Sequence, residues 1–138
     1  MSGFPMKLQG FALLALLLAP VTVHAETLHI RLDQANTGAG QCQLVFVLEN
    51  STETEFEQLQ AEVVLLDRDT RVLRLSLMDF QSLPANGLRV RSFNLPDLDC
   101  AEVGRVLFNA MGPCTPLEAR ECTDALRVSS DTGIEVLK

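Results

Sequence analysis

Tryptophan and tyrosine are absent from this 138-residue chain. Sugar-stacking platforms and grooves for proline-rich peptides rely on those rings, so both functions lose ground at once. Histidine is scarce too, and only His29 lies beyond residue 25. A Ser-His-Asp or Cys-His engine must therefore run through that one residue, which stands on the polar side of an alternating strand with no motif around it. Lysine is confined to Lys7 and Lys138. Acidic residues outnumber basic ones 18 to 11, a formal charge of −7. The basic residues are nearly all arginines scattered among acids, which argues against nucleic acid and against an anionic membrane surface.

Long apolar runs are missing as well, with one exception at the amino terminus. Lys7 is followed by the apolar stretch from Phe11 to Ala19, and Val23-His24-Ala25 offers small residues at cleavage positions. That is the pattern of a secretory signal peptide over residues 1–25, too short for a membrane span. Residues 26–138 are then one exported domain, periplasmic or secreted, in an oxidising compartment. No later run approaches ~20 apolar residues, so no membrane span is expected after signal removal. No cysteine stands at the start of the mature chain to carry a lipid anchor.

What is present alternates with period two. Leu28, Ile30 and Leu32 alternate with His29, Arg31 and Asp33, and Asn36 to Gly40 is a turn cluster. A Gly-rich turn that cradles phosphate needs a following Lys and helix, which this one lacks. From Gln41 to Glu49, Cys42, Leu44, Phe46 and Leu48 share one face and Val45 and Val47 the other, as in a central strand. Asn50-Ser51-Thr52 matches a glycosylation sequon by its letters and reads as a turn. Leu59–Leu66, the turn Asp67–Thr70 and Val72–Met78 form a hairpin, and Leu83–Gly87 is a turn with Asn-Gly supplying positive φ. In Leu88–Leu95 the apolar parity changes between Val90 and Phe93, which predicts a bulge near Ser92. Asp99–Glu102 predicts one helical turn ended by Gly104, and Arg105–Met111 a strand burying Val106, Phe108 and Ala110. Thr115-Pro116-Leu117-Glu118 predicts a helix start with a threonine cap. Ala125–Val128 and Ile134–Leu137 are short closing strands. Seven or eight short strands with one or two helical turns predict an all-β, immunoglobulin-like or fibronectin-like sandwich.

Four cysteines in a small exported domain imply two disulfides, with three possible pairings. Cys42 with Cys100 and Cys114 with Cys122 is the favoured set. It ties a central strand to the turn before another core strand, and clamps the short helix onto the strand preceding it. No Cys-x-x-Cys spacing supports redox chemistry, and His29 alone cannot complete a thiolate metal site. Asp67-x-Asp69 and Asp97-x-Asp99 do not continue into a calcium loop and sit where turns favour Asp anyway. No catalytic residue, metal site or cofactor is therefore expected. Arg89 and Arg91, read on an outward face and followed by Phe93, are the candidate contact residues for a carboxylate or phosphate on a partner.

The runs Glu62-Val-Val-Leu-Leu-Asp-Arg-Asp-Thr-Arg-Val-Leu-Arg-Leu75, Asp79-Phe-Gln-Ser-Leu-Pro84 and Arg89-Val-Arg-Ser-Phe-Asn-Leu95 carry a resemblance, together with the four cysteines. They resemble small exported proteins of alphaproteobacteria that often bear the label "Tat pathway signal sequence domain protein", a likeness that implies no activity and no functional residues. The amino terminus here has no twin arginine, and Lys7 alone points to the general secretion route. More distantly, Asn50, Val64-Leu65-Leu66-Asp67, Leu83-Pro84 and Phe93 are similar to the FxLYD-type β-sandwich of bacterial envelope proteins, which implies an interaction module. The expected function is thus a non-catalytic periplasmic protein-interaction or envelope-accessory module whose partner is another envelope protein. The alternative is a small-molecule or metal-binding protein with Met78, Met111 and His29 as soft ligands.

Overall fold

A computed structural model describes residues 2–6, 10, 17–21 and 27–138. The signal-peptide features at Lys7, residues 11–16 and residues 22–26 lie outside the described residues. Among the described residues, eight strands form two four-stranded sheets. The first holds β1 (Leu28–Gly38), β2 (Gln41–Asn50), β5 (Leu88–Pro96) and β7 (Leu126–Ser130), ordered β5-β2-β1-β7. The second holds β3 (Gln60–Leu66), β4 (Val72–Asp79), β6 (Arg105–Met111) and β8 (Glu135–Leu137), ordered β4-β3-β6-β8. Among the described residues the remaining regular pieces are a 3-10 turn, Cys100–Glu102, and the helix α1, Ala119–Ala125. The sandwich and its central β2 match the sequence expectation. The alternation does not disclose that both closing strands pair in parallel, β7 with β1 and β8 with β6, in opposite sheets.

The core follows from period two: Leu28, Ile30 and Leu32 of β1 and Cys42, Leu44, Phe46 and Leu48 of β2 are fully buried. They meet Ala61, Val63 and Leu65 of β3 and Val106 and Phe108 of β6 across the sandwich. Phe46 lies edge-on to Phe80, Phe93 and Phe108, with centroids 5.6, 6.0 and 6.2 Å away. Such pairs add about 0.5–1.5 kcal/mol each beyond the buried area. Both disulfides form as expected, Cys42–Cys100 and Cys114–Cys122.

Four local readings are corrected. β5 keeps one unbroken register on β2, from Glu49 opposite Leu88 to Gln41 opposite Pro96, so there is no bulge near Ser92. Bulges occur instead near Asp33, Leu73 and Asn109, and each flips the parity of the residues beyond it. Met111 is therefore buried where alternation pointed to Ala110, which is exposed. The helix begins at Ala119 with Glu118 at its cap and no side-chain bond; Leu117 N–H instead donates to Cys114 O at 2.8 Å, turning the chain at Thr115-Pro116. Strand β1 also runs through Asn36–Gly38, leaving Ala39-Gly40 as a two-residue turn with φ of 52° and 71°.

The capping box at Asp99 and Glu102 is present, and Val103, not Gly104, closes that turn. Gly104 answers to a close approach: a Cβ there would lie 2.8 Å from Arg68 N. The sequon asparagine is 1% exposed. Its amide donates to Thr54 O at 2.7 Å and Pro84 O at 3.0 Å, and its oxygen accepts from the Thr52 N–H and hydroxyl. Asn50 is thus a bonded strut of the core rim, with no atom free for a glycan.

Candidate interaction surface

Strand β4 places a row of exposed apolar side chains on the surface. Met78 of β4 and the following Phe80 are buried, which sends Ser76 and Arg74 to the inner side and the odd-numbered leucines outward. Leu75 is 57% exposed and Leu77 77%. Val72 also faces out, because the bulge at Leu73 shifts it opposite the outer residue Leu66.

These side chains continue across the outer face of the second sheet. Leu75 stands opposite Val64, Val64 opposite Leu107, and Leu107 opposite Leu137, one apolar row spanning all four strands. Polar pairs bound it. On one side Arg105 Nε donates to Glu135 Oε2 at 3.0 Å, and on the other Asn109 Nδ2 donates to Glu62 Oε1 at 2.6 Å. An apolar centre with a hydrogen-bonded rim is the anatomy of a protein interface.

The sequence-derived contact residues fall elsewhere. Arg89, Arg91 and Phe93 lie on β5, opposite the inward residues Leu48, Phe46 and Leu44, so the outward placement is corrected. The physical reason is that β5 is an edge strand, where an arginine can lay its stem along the core and keep its head at the rim. Arg91 donates to Phe80 O at 2.8 Å and Ser82 O at 3.0 Å, closing the open side of the sandwich. Phe93 packs on Phe80 with centroids 5.0 Å apart. Arg89 is exposed and donates to Leu88 O. The outward residues of β5 are Leu88, Val90, Ser92 and Asn94.

The proposed soft ligands are also separated. Met78 and Met111 flank Ala61 on the inner face of the second sheet, while His29 is on the outer face of the first. There His29 Nε2 lies 2.8 Å from Ser129 Oγ, a pairing that sequence reading missed because the two residues meet only through the parallel β1–β7 contact. His29 lines a groove of about 120 Å³ with Arg31, Val47, Glu49 and Leu88. Among the described residues no cluster of three His, Cys, Asp or Glu side chains has metal-binding spacing. The two Asp pairs serve turns: Asp67 Oδ1 accepts the Asp69 and Arg71 N–H groups, and Asp99 caps the 3-10 turn. Among the described residues no helix is long and apolar enough to cross a membrane.

The leucines of β4 were legible as a strand but not as a surface. The signal that could have found them was parity: Met78 and Phe80 share it with Ser76 and Arg74, not with Leu75 and Leu77.

No protein-family model matches the chain, and no curated protein matches it. Among solved structures it is similar to IrmA from Escherichia coli, with a TM-score of 0.60 at 13% identity over 75% of this chain and 91% of that one. That likeness establishes the β-sandwich fold and nothing finer. A DUF1425 family member from Shewanella sp. pv-4 is similar over 56% of this chain and 69% of its own, at 12% identity and a TM-score of 0.42.

Proposed function

We propose that this protein is a non-catalytic, extracytoplasmic β-sandwich module, exported by the signal peptide in residues 1–25, that docks another envelope protein on the outer face of its second sheet. The exposed leucines Leu75 and Leu77, continuous with the row Val64–Leu107–Leu137, carry the reading. Exposed leucines at this density cost solubility and contribute nothing to the core, so a partner that covers them is the physical reason to keep them. Two disulfides support a location outside the cytoplasm.

Photo-cross-linking from single positions in the living host tests this. A probe at Leu77 should capture one protein reproducibly, a probe at Leu88 on the opposite sheet should not, and Leu75→Lys should abolish the capture. Equal capture from Leu77 and Leu88, or capture that survives Leu75→Lys, sinks the assignment.

A further inference from the structure

We propose that Asn86 is a self-modification site: its side-chain amide is lost to attack by the Gly87 main-chain nitrogen, leaving aspartate or isoaspartate in the turn before β5. The proposal stands apart from the docking reading, because this turn leads into the first sheet.

The turn leaves the reacting groups accessible. Asn86 is exposed, with φ of 48°, and among the described residues its side-chain amide has no hydrogen-bond partner. Gly87 N–H likewise makes no hydrogen bond of good geometry among the described residues, and Pro84 O, across the same turn, takes the Asn50 amide at 3.0 Å. The turn also holds position 87 to glycine, since a Cβ there would lie 2.9 Å from Pro84 O. The attacking nitrogen is therefore shielded by no side chain of its own.

The step needs only water and solvent base. Gly87 nitrogen gives up its proton and bonds to Asn86 Cγ, the bond from Cγ to the side-chain nitrogen breaks, and ammonia leaves. Water then opens the cyclic imide at one carbonyl or the other. Opening one way gives aspartate with the chain unchanged. Opening the other way gives isoaspartate, which routes the chain through Cβ and adds one carbon between Asn86 N and Gly87 O. Those two atoms are tied to one segment: Asn86 N–H donates to Thr52 O at 3.0 Å, and Gly87 O accepts the Asn50 N–H at 2.9 Å. Either product adds a negative charge beside Glu49, with which Asn86 shares a groove.

The other four asparagines are protected. Asn36, Asn94 and Asn109 lie within strands, where the following residue carries a side chain and the ladder fixes the peptide. Asn50 precedes the small Ser51, yet it is 1% exposed and all its side-chain polar atoms are bonded.

Peptide mapping by mass spectrometry, on folded protein aged at mildly alkaline pH, reads each asparagine separately. Asn86 should convert to two separable products of equal mass, and Asn50 should react at least about a hundredfold more slowly, because it must first open locally. In urea that protection should vanish and Asn50 should react as well. Asn86→Gly accepts the same φ and lacks the amide, so its aged protein should gain no charge on ion exchange. The isoaspartyl form should melt about 4 °C below the aspartyl form, which keeps both main-chain bonds. An Asn86 that stays intact in the folded protein, an Asn50 that converts as fast, an Asn86→Gly protein that acidifies at the original rate, or two products with equal melting points each overturns the proposal.

Discussion

Arg91 donates from Nε to the carbonyl of Phe80 at 2.8 Å, joining the edge strand of one sheet to the segment that leaves β4 in the other. With the further bond to Ser82 O, one guanidinium spans the gap that the sandwich leaves open. The fork geometry matters, because Nε and Nη2 reach the two carbonyls from two separate, rigidly held nitrogens, where a lysine offers one nitrogen on a flexible stem.

Arg91→Lys should therefore lower unfolding free energy by about 1–2 kcal/mol, at the low end for charged hydrogen bonds because the site is partly exposed. Arg89→Ala, which breaks only a bond to the neighbouring Leu88 carbonyl, should stay within about 0.5 kcal/mol. Urea unfolding of the two variants checks this. Equal losses would mean that Arg91 does not hold the sheets together.

Asn50 gives a second, sharper expectation. Asn50→Ala strands the carbonyls of Thr54 and Pro84 and removes the acceptor of Thr52, all at a buried position. The cost should be about 2–4 kcal/mol. Ser51→Ala, next door but exposed, should cost no more than about 1 kcal/mol. Thermal melts should show the Asn50 variant far below its neighbour, and similar midpoints would contradict the accounting.

The disulfides should rank by the loops they close. Cys42–Cys100 closes a separation of 58 residues and Cys114–Cys122 one of 8. Chain entropy assigns about 4 kcal/mol to the first and about 2.5 kcal/mol to the second. Replacing each pair with alanines should lower stability in that order, and both losses should carry a packing term because all four cysteines are buried. Calorimetry on the two double variants decides it; the opposite order would show that the Cys114–Cys122 clamp, not the long loop, governs the fold.

The sequence by itself determined the all-β class, most strand positions, the capped turn at Asp99 and the favoured cysteine pairing. Each of these is written in local chemistry: alternation, turn residues, or the place of each cysteine beside a strand or a short helix. Tertiary structure decided the rest. Which way Val72 faces, and whether Ala110 or Met111 is buried, depends on bulges at Leu73 and Asn109 that arise only when strands pair. Arg89 and Arg91 turn inward because β5 ends a sheet, and β4 is exposed because nothing beyond it completes the ladder. Period two records that neighbours point to opposite sides. Which side is buried, and which edge stays open, is set by long-range pairing, and one extra residue in a strand reverses the answer.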